Sequence, residues 1–166
     1  MEPFVVVGGD AAGLSAASKL RRDDPDRDVV VYEKGRWVSY AHCGTPYFVK
    51  GDVDSLVDLQ SLSPDEIEER GIDLRREHEV IDVSTDDKTV TVDGPDGEFV
   101  QEYGDLLVAT GARAFVPFDG GELNGVFTLH GLDSAARIRA LLEDPDGFDV
   151  GSLGGGGYLN EDDVAR

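Results

Sequence analysis

The 166-residue chain has one cysteine, Cys43, one methionine and one tryptophan. A single thiol closes no intramolecular disulfide and builds no cysteine metal site. The three histidines, His42, His78 and His130, lack the spacing of a ligand set, so no metal is expected. Basic residues are scarce: 15 Lys and Arg, only four of them lysine, against 35 acidic residues, 23 of them aspartate. The net charge of −20 excludes a nucleic-acid binder working through a basic face. It also argues against adsorption to an anionic membrane surface. No apolar run approaches a membrane span, and no basic segment followed by an apolar one opens the chain. The expectation is a soluble cytoplasmic protein with neither nucleic acid nor membrane as partner.

What is present is a 40% hydrophobic content, enough for a packed core. The aspartate-rich surface repels itself in dilute salt. At molar salt the screening length falls to about 3 Å and the repulsion is largely lost. This balance resembles that of proteins from salt-loving archaea.

The N-terminus reads as strand, glycine turn, helix, strand. Residues 4–7 form a continuous apolar run, as expected for a strand buried on both faces. Gly8, Gly9 and Gly13 punctuate the turn. Residues 12–22 carry Leu14, Ala17 and Leu20 at helical spacing. Residues 29–32 form a second buried strand that ends in Glu33. This βαβ start implies a parallel sheet with a right-handed crossover. Residues 35–51 read as loop. Ser63, Pro64 and Glu66 predict a capped helix over 63–70. Residues 72–74 and 79–83 read as short strands. Residues 88–92 and 98–101 alternate around Gly94-Pro95-Asp96-Gly97, the pattern of a hairpin. Residues 106–109 predict a buried strand closed by Thr110 and Gly111, 126–129 a further strand, and Asp133 a cap for a helix to Leu142.

A glycine turn between a buried strand and a helix lets the backbone approach a pyrophosphate, with the helix N-terminus facing the negative charge. Glu33 follows Gly13 by twenty residues, where a carboxylate accepts from ribose hydroxyls and disfavours a 2′-phosphate. Asp10 occupies the middle glycine position of the strict pattern. The other reading of these glycines is helix packing alone. Cys43 lies among Ser39, Tyr40, Ala41, His42, Gly44, Thr45, Pro46 and Tyr47, a composition that suits an exposed turn. As a thiolate it is a nucleophile; as a buried thiol it is inert. With no second cysteine, its redox partner is an external sulfur or a sulfenic acid.

Four stretches in order, VVVGGDAAGLSAASKLRR, VYEK, SYAHCGTPYFVKGD and YGDLLVATGA, resemble the N-terminal part of the single-cysteine pyridine-nucleotide-disulfide oxidoreductases. Within them the chain is most similar to the coenzyme A-disulfide reductases, and next to the NADH oxidases and peroxidases. The resemblance implies an α/β, Rossmann-like FAD-binding domain with a central parallel sheet and an inserted β-hairpin or meander. It implies FAD at Gly8, Gly9, Asp10, Ala11, Ala12 and Gly13, its adenosine ribose at Glu33 and Lys34, and further contacts at Val80, Ala109, Thr110 and Gly111. It makes Cys43 the redox nucleophile, forming a mixed disulfide with coenzyme A while NAD(P)H supplies electrons. Ser15, Lys19, Arg22, Ser39 and His42 match positions that line the coenzyme A pocket. For Lys19 and Arg22 the alternatives are a grip on phosphates and a solvated helix end. The alternative activity is an oxidase or peroxidase cycling Cys43 through a sulfenic acid, or a silent FAD-binding fragment.

Some positions depart from the family pattern. His42 stands where asparagine is common, Ser15 where threonine-like residues occur, and Ala114 where proline is usual. Residues 1–146 are expected to form the FAD-binding domain, and 147–166 the truncated start of an NAD(P)H-binding domain. Gly155, Gly157 and Tyr158 match that start, whereas Asn160 does not continue it. The resemblance implies a homodimer for the family, which is in doubt here because the dimerisation domain lies outside this sequence. The expectation is a truncated chain with impaired turnover.

Overall fold

Continuous valine runs fold as the sequence predicts. The computed structural model describes residues 2–121, 123 and 125–145, so the expected segment 147–166 lies outside the described residues. The chain divides into two units, Met1–Tyr40 with Ser61–Gly111, and Ala41–Gln60 with Ala112–Arg166.

In the first unit β1 (Phe4–Val7) runs into α1 (Ala11–Asp23) and returns as β2 (Val29–Glu33). With β3 (Asp73–Arg76) and β7 (Asp105–Val108) these strands form a parallel sheet ordered β3-β2-β1-β7. Phe4 sits in register with both Val29 and Asp105. Successive side chains point to opposite faces of a sheet. Val6, Val29 and Val31 therefore pack with Leu14 and Ala17 of α1, and with Ile67 and Ile72. Val5, Val30 and Tyr32 pack on the other face with Val90, Val92 and Tyr103.

The expected inserted meander is a three-stranded antiparallel sheet of β4 (Glu79–Ser84), β5 (Thr89–Gly94) and β6 (Gly97–Glu102). Tyr32 ties it to the parallel sheet, donating to Gln101 Oε1 at 3.1 Å. Burial holds the Tyr32 phenol above its ordinary pKa, against the nearby Arg75 guanidinium. Helix α3 (Pro64–Glu69) starts on the predicted Ser63–Glu66 capping box. Backbone bonding to the Glu66 carboxylate lowers its pKa.

The second unit corrects three expectations. Residues 35–51, read as loop, contain a 3-10 turn (His42–Gly44) and helix α2 (Thr45–Lys50), closed by Gly51 at φ 90°. Residues 126–129 form no strand, because no ladder partner is present for them among the described residues. Helix α4 (Leu132–Glu143) is capped by Gly131, not Asp133. The Ala135 amide already bonds Gly131 O, and Ser134 Oγ does so as well, which places Asp133 inside the first turn.

Candidate functional site

The first turn is set by steric contact of backbone with backbone. Gly8 has φ +112°, and a Cβ there would lie 2.3 Å from Ala109 O. A Cβ on Gly13 would lie 1.9 Å from Gly8 O. Only glycine fits these two positions. The Ala109 amide donates to Val7 O at 2.8 Å, which brings the Ala109–Thr110 backbone against the turn. Sequence positions a hundred residues apart thus meet.

Glu33 serves the turn directly. Its Oε2 accepts from the Gly9 amide and its Oε1 from the Gly35 amide, both at 2.8 Å. The carboxylate is thereby fixed at the end of β2, with lone pairs left for further donors. Lys34 beside it is exposed. Val80 lies on β4 and packs against the core beneath Tyr32.

Asp10 precedes α1 but makes no side-chain cap. Its Oδ1 accepts instead from the Tyr40 amide at 3.2 Å. The first helical bond runs from the Leu14 amide to Asp10 O. The amides of Ala11, Ala12 and Gly13 therefore have no acceptor within α1. A tight glycine turn leading into a helix whose first amides have no acceptor within the helix suits a pyrophosphate, so the residues fit a dinucleotide.

A cleft of about 400 Å³ opens beside this turn. Ser15 and Arg22 on α1 line it with Ser39. Lys19 does not line it; the Lys19 ammonium pairs with Asp23 one turn on. Ser39 has φ 52° and is buried, held by its amide on Gly9 O and its carbonyl under the Ser61 amide at 2.6 Å.

In the second unit Cys43 is exposed, which removes the inert-core reading. Thr45 Oγ1 donates to His42 O at 2.8 Å, and Gly44 rests on Leu59. The exposed His42 ring lies 6.0 Å from the His130 ring. His130 Nε2 in turn lies 2.7 Å from Ala112 O.

The family model of the pyridine nucleotide-disulphide oxidoreductases matches residues 2–158. The chain belongs to this family. It is 43% identical over 154 residues to the NAD(P)H sulfur oxidoreductase (CoA-dependent) of Pyrococcus abyssi, covering 92% of this chain and 34% of that one. It is 33% identical to the coenzyme A disulfide reductase of Staphylococcus haemolyticus, covering 86% and 33% respectively. The crystal structure of reduced Bacillus anthracis CoADR-RHD superposes with a TM-score of 0.82 at 30% identity, over 86% of this chain and 27% of that chain. The chain thus spans about a third of the length of these relatives.

Several side chains of this family member's cleft were not singled out as such from the sequence, Tyr40, Leu14 and Leu62 among them. Arg70, Ser18 and Ser61 also line it, and Arg70 Nη1 donates to Ser18 Oγ at 3.4 Å. Arg70 is the C-cap of α3, and its only sequence signal is a cation at the end of a well-capped helix. Arg21, next to Arg22, is structural: it donates to Pro25 O and Arg27 O, both at 2.7 Å. No group of three or more metal-ligating side chains occurs among the described residues. No helix among them is long and apolar enough to cross a membrane.

Proposed function

We propose that this chain is the FAD-binding part of an NAD(P)H-dependent disulfide oxidoreductase of the coenzyme A-disulfide reductase type. The observation that carries the reading is the exposed Cys43, the only thiol of the sequence, in a chain similar to reductases named for coenzyme A. FAD would be held at Gly8, Gly9, Asp10, Ala11, Ala12 and Gly13, with Glu33 and Lys34 toward its ribose, and with Val80, Ala109, Thr110 and Gly111 near it. When bound, FAD supplies a two-electron carrier between a hydride donor and a disulfide. Residues 1–146 would form this domain, and 147–166 would open one for NAD(P)H.

Cys43 acts as its thiolate. It attacks one sulfur of coenzyme A disulfide, a Cys43–S–S–CoA bond forms, and the other coenzyme A leaves as thiolate. Two electrons and a proton then release the second coenzyme A as thiol and restore the Cys43 thiolate. Arg22 and Arg70 present two guanidinium groups to one cleft, a fit for the phosphates of that substrate. Ser15 and Ser39 add a hydroxyl each, and His42 stands beside the thiol on the sequence.

The test is direct. The purified chain, incubated with coenzyme A disulfide, should gain the mass of one coenzyme A, and Cys43→Ser should gain none. An adduct on the serine variant, or none on the parent chain, overturns the reading. Labelling of Cys43 by a sulfenic-acid reagent after peroxide, without a coenzyme A adduct, would instead mark the oxidase or peroxidase chemistry.

A further inference from the structure

Helix α2 starts two residues after Cys43 and has only six residues. Isolated helices of fewer than roughly a dozen residues are marginal in water, so its geometry is imposed from outside. One side chain within the same unit supplies that constraint. Arg139 of α4 sends Nη1 to Val53 O at 2.9 Å, Asp54 O at 3.2 Å and Phe48 O at 3.4 Å. Its guanidinium carbon lies 4.7 Å above the Phe48 ring. Its Nε donates to Glu143 Oε1 at 2.7 Å, which holds the fork in its plane. The side chain is 20% exposed, and its bonds to Phe48 O and Val53 O are partly shielded from water. At the same helix end the Gly51 amide bonds Phe48 O, and the Asp52 amide bonds Tyr47 O.

We infer that Arg139 is a positioning residue for Cys43. It clamps the C-terminal end of α2 and the turn after it, and so fixes the peptide whose other end carries the thiol. The inference rests on the reading of Cys43 as the nucleophile. A bulky disulfide has few lines of approach to the thiol, so loss of the clamp slows that encounter. A small neutral disulfide approaches from any side and is indifferent to the clamp.

The experiment compares Arg139→Ala and Arg139→Lys with the parent chain. It reads the rate of Cys43 with coenzyme A disulfide, its rate with 4,4′-dithiodipyridine, and amide exchange of Gly51, Asp52 and Val53. Arg139→Ala should slow the coenzyme A reaction about tenfold and leave the small disulfide within about twofold. Exchange at the three amides should rise by about tenfold or more. Arg139→Lys keeps the charge but lacks a planar fork, so exchange should rise there too; it carries the test if the alanine variant does not fold. Both rates falling in step, or unchanged amide exchange, overturns the inference. If the parent chain reacts with 4,4′-dithiodipyridine but not with coenzyme A disulfide, the substrate reading fails, and amide exchange alone decides the clamp.

Discussion

At the glycine turn after β1 the tightest approaches are backbone against backbone, with the Glu33 carboxylate bonded to the Gly9 amide, whereas in the cysteine segment they involve side-chain atoms. At the turn, Gly8 and Gly13 leave no room for one more carbon, because the atoms they face are carbonyl oxygens. Next to Cys43, Gly44 faces Leu59 and Thr45 Oγ1 bonds His42 O, and at the far end of α2 Arg139 bonds Val53 O; these are side chains with rotamers to choose from. The first arrangement fixes one geometry. The second lets a thiol be tuned by substitutions far away in sequence.

Substitutions should separate the two regions, and the largest effect belongs to Gly13→Ala. The new methyl meets Gly8 O, which cannot move without opening the turn, so a loss of about 3 kcal/mol is expected. Chemical denaturation and flavin retention would measure it. A variant as stable as the parent that still retains flavin would break the distinction. Next comes the cleft. Arg22→Ala and Arg70→Ala should each weaken coenzyme A disulfide about fivefold, or near 1 kcal/mol, read as half-saturation of adduct formation. Lys19→Ala should change this little, since that ammonium serves Asp23.

Gly44→Ala is the counterpart of Gly13→Ala. Its methyl would lie 2.5 Å from Leu59 Cδ2, the far end of a side chain able to turn aside, so the cost should stay below about 1 kcal/mol. A loss equal to that of Gly13→Ala would show the two regions to be equally rigid. The smallest effect at neutral pH is that of Tyr32. Burial raises its pKa in the fold above the ordinary value of 10.0. The folded state therefore holds this proton more tightly than the unfolded chain. The associated stability is fully present below pH 10.0 and is lost as pH rises through the folded pKa. Tyr32→Phe should flatten that alkaline decline in thermal melts.

Much of the first region was legible in the sequence because its signals are local. A run of valines, a glycine at the start of a helix, and a serine three residues before a glutamate each fix a short stretch by themselves. The strand pairing followed from the βαβ rule. Helix α2 was not legible, because Pro46 and two flanking glycines read as loop and Arg139 lies ninety residues away. The cleft was half legible. Ser15, Arg22 and Ser39 came with the family pattern, but Arg70 reaches it from a different helix. Lys19 lies outside this cleft and pairs with Asp23 on its own helix, the solvated-helix-end alternative. Residues 126–129 have the apolar content of a strand but no neighbour to pair with among the described residues.

The register of Phe4 with Asp105 has a consequence for the order in which the molecule is made. The first turn closes against Ala109 and Thr110, so it cannot be complete until about a hundred further residues have left the ribosome. Contacts of such long sequence separation form late and slowly in folding. An earlier part of the nascent chain therefore waits for a later one. A dinucleotide that binds there would act as a proofreader of assembly, engaging only chains whose central sheet has been finished.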